Sequence, residues 1–358
     1  MFAAVCNTFG KPLDIEELVM DPPQQGEVKV RLAATAICHS DVHFIRGEWT
    51  GKTPVVAGHE AAGYVEEIGP GVTCVKPGDP VVTTLLRSCG RCFFCTTGSP
   101  NLCEFDFPLN TQSRLRKSNG DIVWHGVRTA AFAEHTIVDQ TQVARIPDSL
   151  PMDQASLLAC GVITGLGAVV NTASVKPGES VVVIGVGGVG LNSIQGAAIS
   201  GANPIIAVDV LEDKLKAAKE FGATHTLNAK ENVKERVLSF TSGQGADFVF
   251  VTVGSSEAVE QGFELLRRGG TEVIVGIPSE GTAMTIPLTP FAGSERRIVG
   301  SFMGSTRLSV DIPRLVGLYE RGELKLEELI SGRYPLDGIN EAIESMEGGG
   351  ALRNVVLF

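Results

Sequence analysis

Three cysteines crowd one short stretch, Cys89-Gly-Arg-Cys92-Phe-Phe-Cys95, and a fourth, Cys103, follows after seven intervening residues. Thiolates at such spacing complete the tetrahedron of a zinc ion, and a four-thiolate site leaves no position open for a substrate. The cluster therefore predicts a structural metal, and any chemistry has to lie elsewhere. A second concentration of reactive side chains runs through Cys38-His39-Ser40-Asp41-Val42-His43 and resumes at Gly58-His59-Glu60. A catalytic zinc takes three protein ligands and keeps a fourth position free, and two thiolates with one imidazole are a known set. Cys38 and His59 supply two of these; spacing alone leaves Cys74 and Cys160 both open as the third.

A different kind of site is written in Gly185-Val-Gly187-Gly188-Val189-Gly190, which follows the apolar run Ser180–Ile184 and opens a helical run over Leu191–Ser200. Glycines there let the backbone turn tightly and approach a pyrophosphate, while the helix N-terminus favours its charge. Asp209 stands 19 residues beyond Gly190, at the end of the next apolar run. A carboxylate so placed accepts hydrogen bonds from ribose hydroxyls and repels a 2′-phosphate, which predicts NAD rather than NADP.

Two textures frame these motifs. From Val28 to Val82, short β-branched runs alternate with Gly and Pro, predicting a β-rich domain. From Pro151, helical stretches alternate with the runs Ser180–Ile184, Pro204–Val208, Asp247–Val251 and Glu272–Val275, predicting βαβ units and a parallel sheet. The fold class is thus α/β. After about Phe302 the chain leaves this sheet, and Asn354–Phe358 reads as a strand returning to the first domain. The stretch from Glu104 to Arg128 reads as a polar surface excursion.

With 358 residues the chain has room for two cores. Its net charge of -11 argues against a nucleic-acid partner, and no run of 18 or more apolar residues predicts a membrane span. No secretory signal is visible after Met1, so a cytoplasmic protein with reduced thiols is expected. His125, His135 and His225 receive no role, and Cys6 and Cys74 read as small buried residues.

The motifs Cys38-His-Ser-Asp, Gly58-His-Glu60, the four-cysteine lobe, Cys160-Gly-Val-Ile-Thr164 and Gly185–Gly190 resemble, in order and spacing, the zinc-dependent medium-chain alcohol dehydrogenases. That resemblance spans nearly the whole chain and implies Cys160 as the third catalytic zinc ligand. It further implies a GroES-like catalytic domain over 1–161 and 303–358, interrupted by a Rossmann coenzyme domain over 162–302. Two zinc ions per chain and NAD are implied, with reversible hydride transfer between an alcohol and the coenzyme. Ser40 and His43 would relay a proton by way of the nicotinamide ribose, Asp41 would orient His59, and Glu60 would sit behind the metal. Thr164 and Val189 would meet the nicotinamide, Lys214 the adenosine ribose and Arg353 the pyrophosphate. His39 stands where some members carry Arg, so a pyrophosphate contact there would vary with pH. Trp49 and Leu85 match positions lining the substrate pocket. The resemblance also implies a homo-oligomer, dimer or tetramer.

Three other functions compete. Formaldehyde could be oxidised as a thiol adduct, with Arg114 or Arg116 holding a carboxylate of the thiol. The nicotinamide could be tightly held and reoxidised by an external acceptor. Alternatively, the four-cysteine lobe could be a zinc-ribbon interaction module on a chain that does not turn over.

Overall fold

The computed structural model describes every residue from Met1 to Phe358. The chain forms two compact units, one of Met1–Cys160 with Arg307–Phe358 and one of Gly161–Thr306. The second crossing falls beyond the expected 302/303 because the tight turn Met303–Ser305 packs within the inserted unit. Asn171 Nδ2 donates to Gly304 O there at 3.1 Å.

The first unit is β-rich, as its short β-branched runs imply. Strands Phe2–Cys6, Asp14–Met20, Leu115–Lys117, Ile122–His125 and Val55–Val56 close into a barrel. A seven-stranded sheet runs Val143–Arg145, Pro80–Thr83, Glu60–Ile68, Glu27–Ala36, Arg353–Leu357 and Ile330–Pro335, with His135–Asp139 also paired to Glu27–Ala36. The late segment does return: Val355, Val356 and Leu357 pair antiparallel with Ala36, Thr35 and Ala34.

The reading of Glu104–Arg128 as a surface excursion is corrected. Two of its short segments are barrel strands, Leu115 and Val123 are buried in the core beneath them, and Ser113 and Arg114 are buried as well. Strands of three and four residues are too short to show an alternating pattern, so the polar residues around them dominated the reading.

The inserted unit carries a six-stranded parallel sheet in the order His225–Asn228, Ile205–Asp209, Val181–Ile184, Ala246–Val251, Leu266–Ile274, Arg297–Gly300. Counted along the chain this order is 3-2-1-4-5-6, with the topological switch beside the first strand, where such sheets bind ligands outside the strand ends. The four inner strands are the apolar runs of the sequence. Both outer strands escape such reading: His225–Asn228 buries one residue fully and Arg297–Gly300 none.

The helical run Met152–Ala173 is long and apolar enough to cross a membrane by length and composition. However, 83% of its most apolar window is buried inside the protein, as in a core helix.

A carboxyl side chain is buried in the inserted unit without a partner. Glu272, on strand Leu266–Ile274, is fully buried, and neither carboxyl oxygen has a hydrogen-bond partner. Burial alone lifts its pKa to about 8, so the folded protein holds a proton there that the unfolded chain, at its ordinary 4.5, has released. Stability should therefore fall with rising pH between about 4.5 and 8, by roughly 1 kcal/mol per pH unit from this group. Glu272→Gln should remove that slope and be the more stable form above the window. Urea midpoints at several pH values check this; parallel curves for the two proteins would refute it.

Candidate active site and metal centres

Strand Glu27–Ala36 ends where Ile37 N–H binds Asn354 O, and Cys38 then takes extended φ/ψ as N-cap of helix His39–Arg46. Asp41, at the third helical position, reaches back and accepts the Cys38 N–H at 3.1 Å, as a capping-box carboxylate does. Its other oxygen accepts the Gly58 N–H at 3.0 Å and stands 2.8 Å from His59 Nδ1. Gly58 has φ +90°, and a Cβ there would collide with the Phe132 ring and backbone, so only glycine makes this turn. One buried carboxylate thus fixes the backbone of Cys38, the turn before His59 and the imidazole itself.

Asp41 accepts from Nδ1, so once the ring is neutral His59 Nε2 offers its lone pair. That nitrogen is buried and has no hydrogen-bond partner. Such a group is costly unless something binds it. Cys160, carried on the π-turn Leu158–Val162, brings the third donor, and ligand atoms of Cys38, His59, Glu60 and Cys160 all lie within 4.8 Å of one another. Two thiols and an orphaned imidazole nitrogen fit zinc. The structure therefore brings together Cys38, His59 and Cys160; the alternative Cys74 lies apart. Cys74 is also exposed rather than buried, its Sγ turned to Gln140 O at 3.5 Å.

The donors are electrostatically primed. A hydrogen bond from Cys160 draws the Cys38 thiol well below its usual range, and the same shared proton with burial pushes Cys160 well above it. Burial opposes a charge on His59, but Asp41 outweighs it and holds the imidazole well above its ordinary value. An entering cation would displace these protons.

Behind this set, Glu60 is fully buried and burial lifts it to about 7, with Arg353 pulling the other way. Arg353 Nη1 donates to Glu60 Oε1 at 3.0 Å and to Ile37 O at 3.3 Å. Arg353 is itself buried, and its Nη2 has no hydrogen-bond partner. The guanidinium expected at a pyrophosphate is thus committed on one side to the carboxylate next to His59. Neither spacing nor composition marked this pair.

Ser40 and His43 sit one turn apart on helix His39–Arg46, hence on one face. Trp49 stacks on the His43 ring at 5.6 Å between centroids, while Leu85 is half-buried just after strand Pro80–Thr83. His39 is exposed.

The other cysteines form a separate, half-exposed group, with Cys89, Cys92, Cys95 and Cys103 sulfurs within 4.8 Å. Backbone amides point at the sulfurs: Cys92 N–H at Cys89 Sγ and Cys89 N–H at Cys103 Sγ, both 3.3 Å. Hydrogen bonds from the Cys95 and Glu104 amides draw Cys92 down to about 6, and burial pushes Cys95 up to about 12. This donor set likewise fits zinc, with all four positions filled by protein.

In the inserted unit Gly185 has φ +89° and turns the chain out of strand Val181–Ile184. A Cβ at Gly190 would strike Gly185 O, whereas at Gly187 it would meet nothing, leaving room for a ligand to approach the backbone. Helix Gly188–Ile199 then presents its N-terminus. Asp209 ends strand Ile205–Asp209 and accepts the N–H of Val186 at 2.7 Å and of Leu211 at 3.0 Å. A carboxylate retains further acceptor sites for a ribose. Thr164, buried on helix Ile163–Gly167, donates to Met303 Sδ, Val189 is half-buried in the first turn of helix Gly188–Ile199, and Lys214 is half-buried on helix Glu212–Glu220. One contributor was missed: Thr252 Oγ1 latches Gly185 O at 2.6 Å from the end of the neighbouring strand, a pairing no local motif announces.

Two family models match the chain. One, described as an alcohol dehydrogenase GroES-like domain, covers residues 24–148, and one described as a zinc-binding dehydrogenase covers 188–321. An NDMA-dependent alcohol dehydrogenase of Amycolatopsis methanolica is 37% identical over 99% of this chain and 98% of its own length. Alcohol dehydrogenase 1 of Pisum sativum is 38% identical over 99% and 96%. Among solved structures, a benzyl alcohol dehydrogenase from Acinetobacter calcoaceticus superposes with a TM-score of 0.93 at 32% identity, covering 100% of this chain and 99% of that one.

Two expectations follow from the geometry. Asp41→Asn replaces an acceptor with a donor facing the Cys38 or His59 group, and zinc affinity at the buried site should drop about 10- to 100-fold in chelator competition. Cys103→Ala should lose one zinc and lower Tm while the zinc held by Cys38, His59 and Cys160 stays bound; metal analysis with thermal melting reads both.

Proposed function

Because the chain belongs to the zinc-dependent medium-chain alcohol dehydrogenases, oxidoreductases that act on alcohols, we propose that it transfers hydride reversibly between a primary or secondary alcohol and NAD. The observation that carries this reading is the buried donor set, two cysteines and an orphaned His59 Nε2, which fills three positions of a metal and leaves one for a small molecule. When bound, zinc supplies Lewis-acid polarisation of the alcohol hydroxyl and NAD accepts the hydride.

The chain's own residues hold and move the proton. Ser40 Oγ both donates and accepts, so it takes the alcohol proton and passes it by way of the nicotinamide ribose to His43, one turn along the same helix, which exchanges it with water. Asp41 keeps His59 in the tautomer that offers Nε2. Buried Glu60, balanced by Arg353, sits beside the donors as a carboxylate of adjustable charge. On the coenzyme side Asp209 would favour NAD over NADP, and His39, Thr164, Val189, Lys214 and Arg353 are the residues proposed to contact it.

A second reading rests on a specific observation. The Amycolatopsis methanolica relative is named NDMA-dependent, which favours a tightly held nicotinamide reoxidised by another acceptor. The thiol-adduct reading loses support, because Arg114 is buried and clamped on Glu27 through two hydrogen bonds of 2.8 and 2.6 Å, and Arg116 is paired with Asp21 at 3.1 Å. The non-catalytic zinc-ribbon reading is overturned by membership among enzymes that act on alcohols.

The test is a substrate panel of short, branched and aromatic alcohols with NAD and with NADP, on protein of measured zinc content and bound-cofactor content. NAD should be preferred by about tenfold or more in kcat/KM, with two zinc ions per chain. A preference for NADP would overturn the role of Asp209, and protein that purifies with nicotinamide bound and ignores added NAD would favour the second reading.

A further inference from the structure

Outside the two cysteine groups, one ion pair has no evident task in holding the fold. Helix His39–Arg46 stops at Gly47, whose φ of +79° reverses the chain. The Gly47 N–H binds Phe44 O and the Glu48 N–H binds His43 O, each at 3.0 Å, so the next two residues fold back over the helix end. A Cβ at Gly47 would press on Phe9. As a result Glu48 Oε2 lies 2.6 Å from His43 Nδ1, and Trp49 lies nearly parallel to the same imidazole at 29°. One neighbour holds the ring by its edge and the other by its face. His43 and Glu48 are 32% and 41% exposed, a setting in which an ion pair adds little to stability. Its effect falls on the ring.

We propose that Glu48 is a positioning residue for His43. It accepts the Nδ1 hydrogen and so keeps the lone pair on Nε2, the nitrogen that has to take up the proton released through Ser40. The inference rests on the relay proposed above. In the step itself the Ser40 Oγ–H bond breaks as its proton passes to the nicotinamide ribose hydroxyl, whose own hydrogen forms the Nε2–H bond, giving an imidazolium whose Nδ1–H stays hydrogen-bonded to Glu48. Loss of the Nε2 proton to water restores the starting state, and nothing is oxidised or reduced. Without the carboxylate, a neutral imidazole is free to carry its hydrogen on Nε2, where it cannot accept, and to turn away from Trp49.

The test compares zinc-loaded wild type, Glu48→Ala and Glu48→Gln. Protein labelled with ¹⁵N-histidine, with the His43 resonances assigned through His43→Gln, reports which ring nitrogen carries hydrogen when the imidazole is neutral. Wild type should carry it on Nδ1, Glu48→Ala on Nε2, and Glu48→Gln, whose amide oxygen still accepts, on Nδ1. In alcohol oxidation Glu48→Ala should lower kcat about three- to tenfold with KM for the alcohol unchanged. Glu48→Gln should stay near wild type, and Glu48→Ala should cost nothing further once His43→Gln is present. An unchanged tautomer in Glu48→Ala overturns the proposal, as does a changed tautomer with kcat unmoved. A wild type inactive on every alcohol would overturn the proposed reaction instead, with the tautomer still deciding whether Glu48 sets the ring.

Discussion

The first unit is organised around one buried carboxylate. Asp41 accepts hydrogen bonds from the Cys38 amide, the Gly58 amide and His59 Nδ1, and none of its surface reaches water. An isolated charge in that position would be strongly disfavoured, so these donors have to stay where they are for the unit to fold. The same requirement aligns Cys38 and His59, two of the three proposed metal donors, which lie on different elements with a cap and a glycine turn between them. Binding geometry and folding are enforced by a single group.

The two cysteine groups show how environment separates roles that residue type does not. Cys89, Cys92, Cys95 and Cys103 are half-exposed, offset by backbone amides, and leave nothing for a ligand to occupy. Cys38 and Cys160 are buried and share a proton, with an imidazole nitrogen beside them that nothing in the protein satisfies. A saturated site stiffens a lobe; an unsaturated one invites a partner.

What was legible in the sequence follows contact distance along the chain. The four-cysteine lobe and the glycine loop sit within a few residues of themselves, so their spacing states their geometry. The inner strands of the parallel sheet are buried on both sides and read as apolar runs, whereas the outer strands His225–Asn228 and Arg297–Gly300 are too open to the surface to carry that mark. Cys160 needed the family resemblance because no local pattern ties it to Cys38. Glu60 and Arg353 stand 293 positions apart, and their pairing is a product of the folded sheet alone. The barrel strands within Glu104–Arg128 stayed hidden because each is short and set among polar residues. The link from His43 to Glu48 is local, but it depends on the reversal at Gly47, which periodicity does not report.

The first unit is made of two stretches with the whole inserted unit between them, and Arg353 lies on the later one. During synthesis, residues up to Cys160 leave the ribosome long before the strand Arg353–Leu357 exists, so nascent chain carries Glu60 in the making of a core with no guanidinium to face it. Its strand Glu27–Ala36 likewise waits with an open edge at Ala34–Ala36. Completion of the chain supplies the missing charge and the missing strand in one event, so a truncated product would lack both.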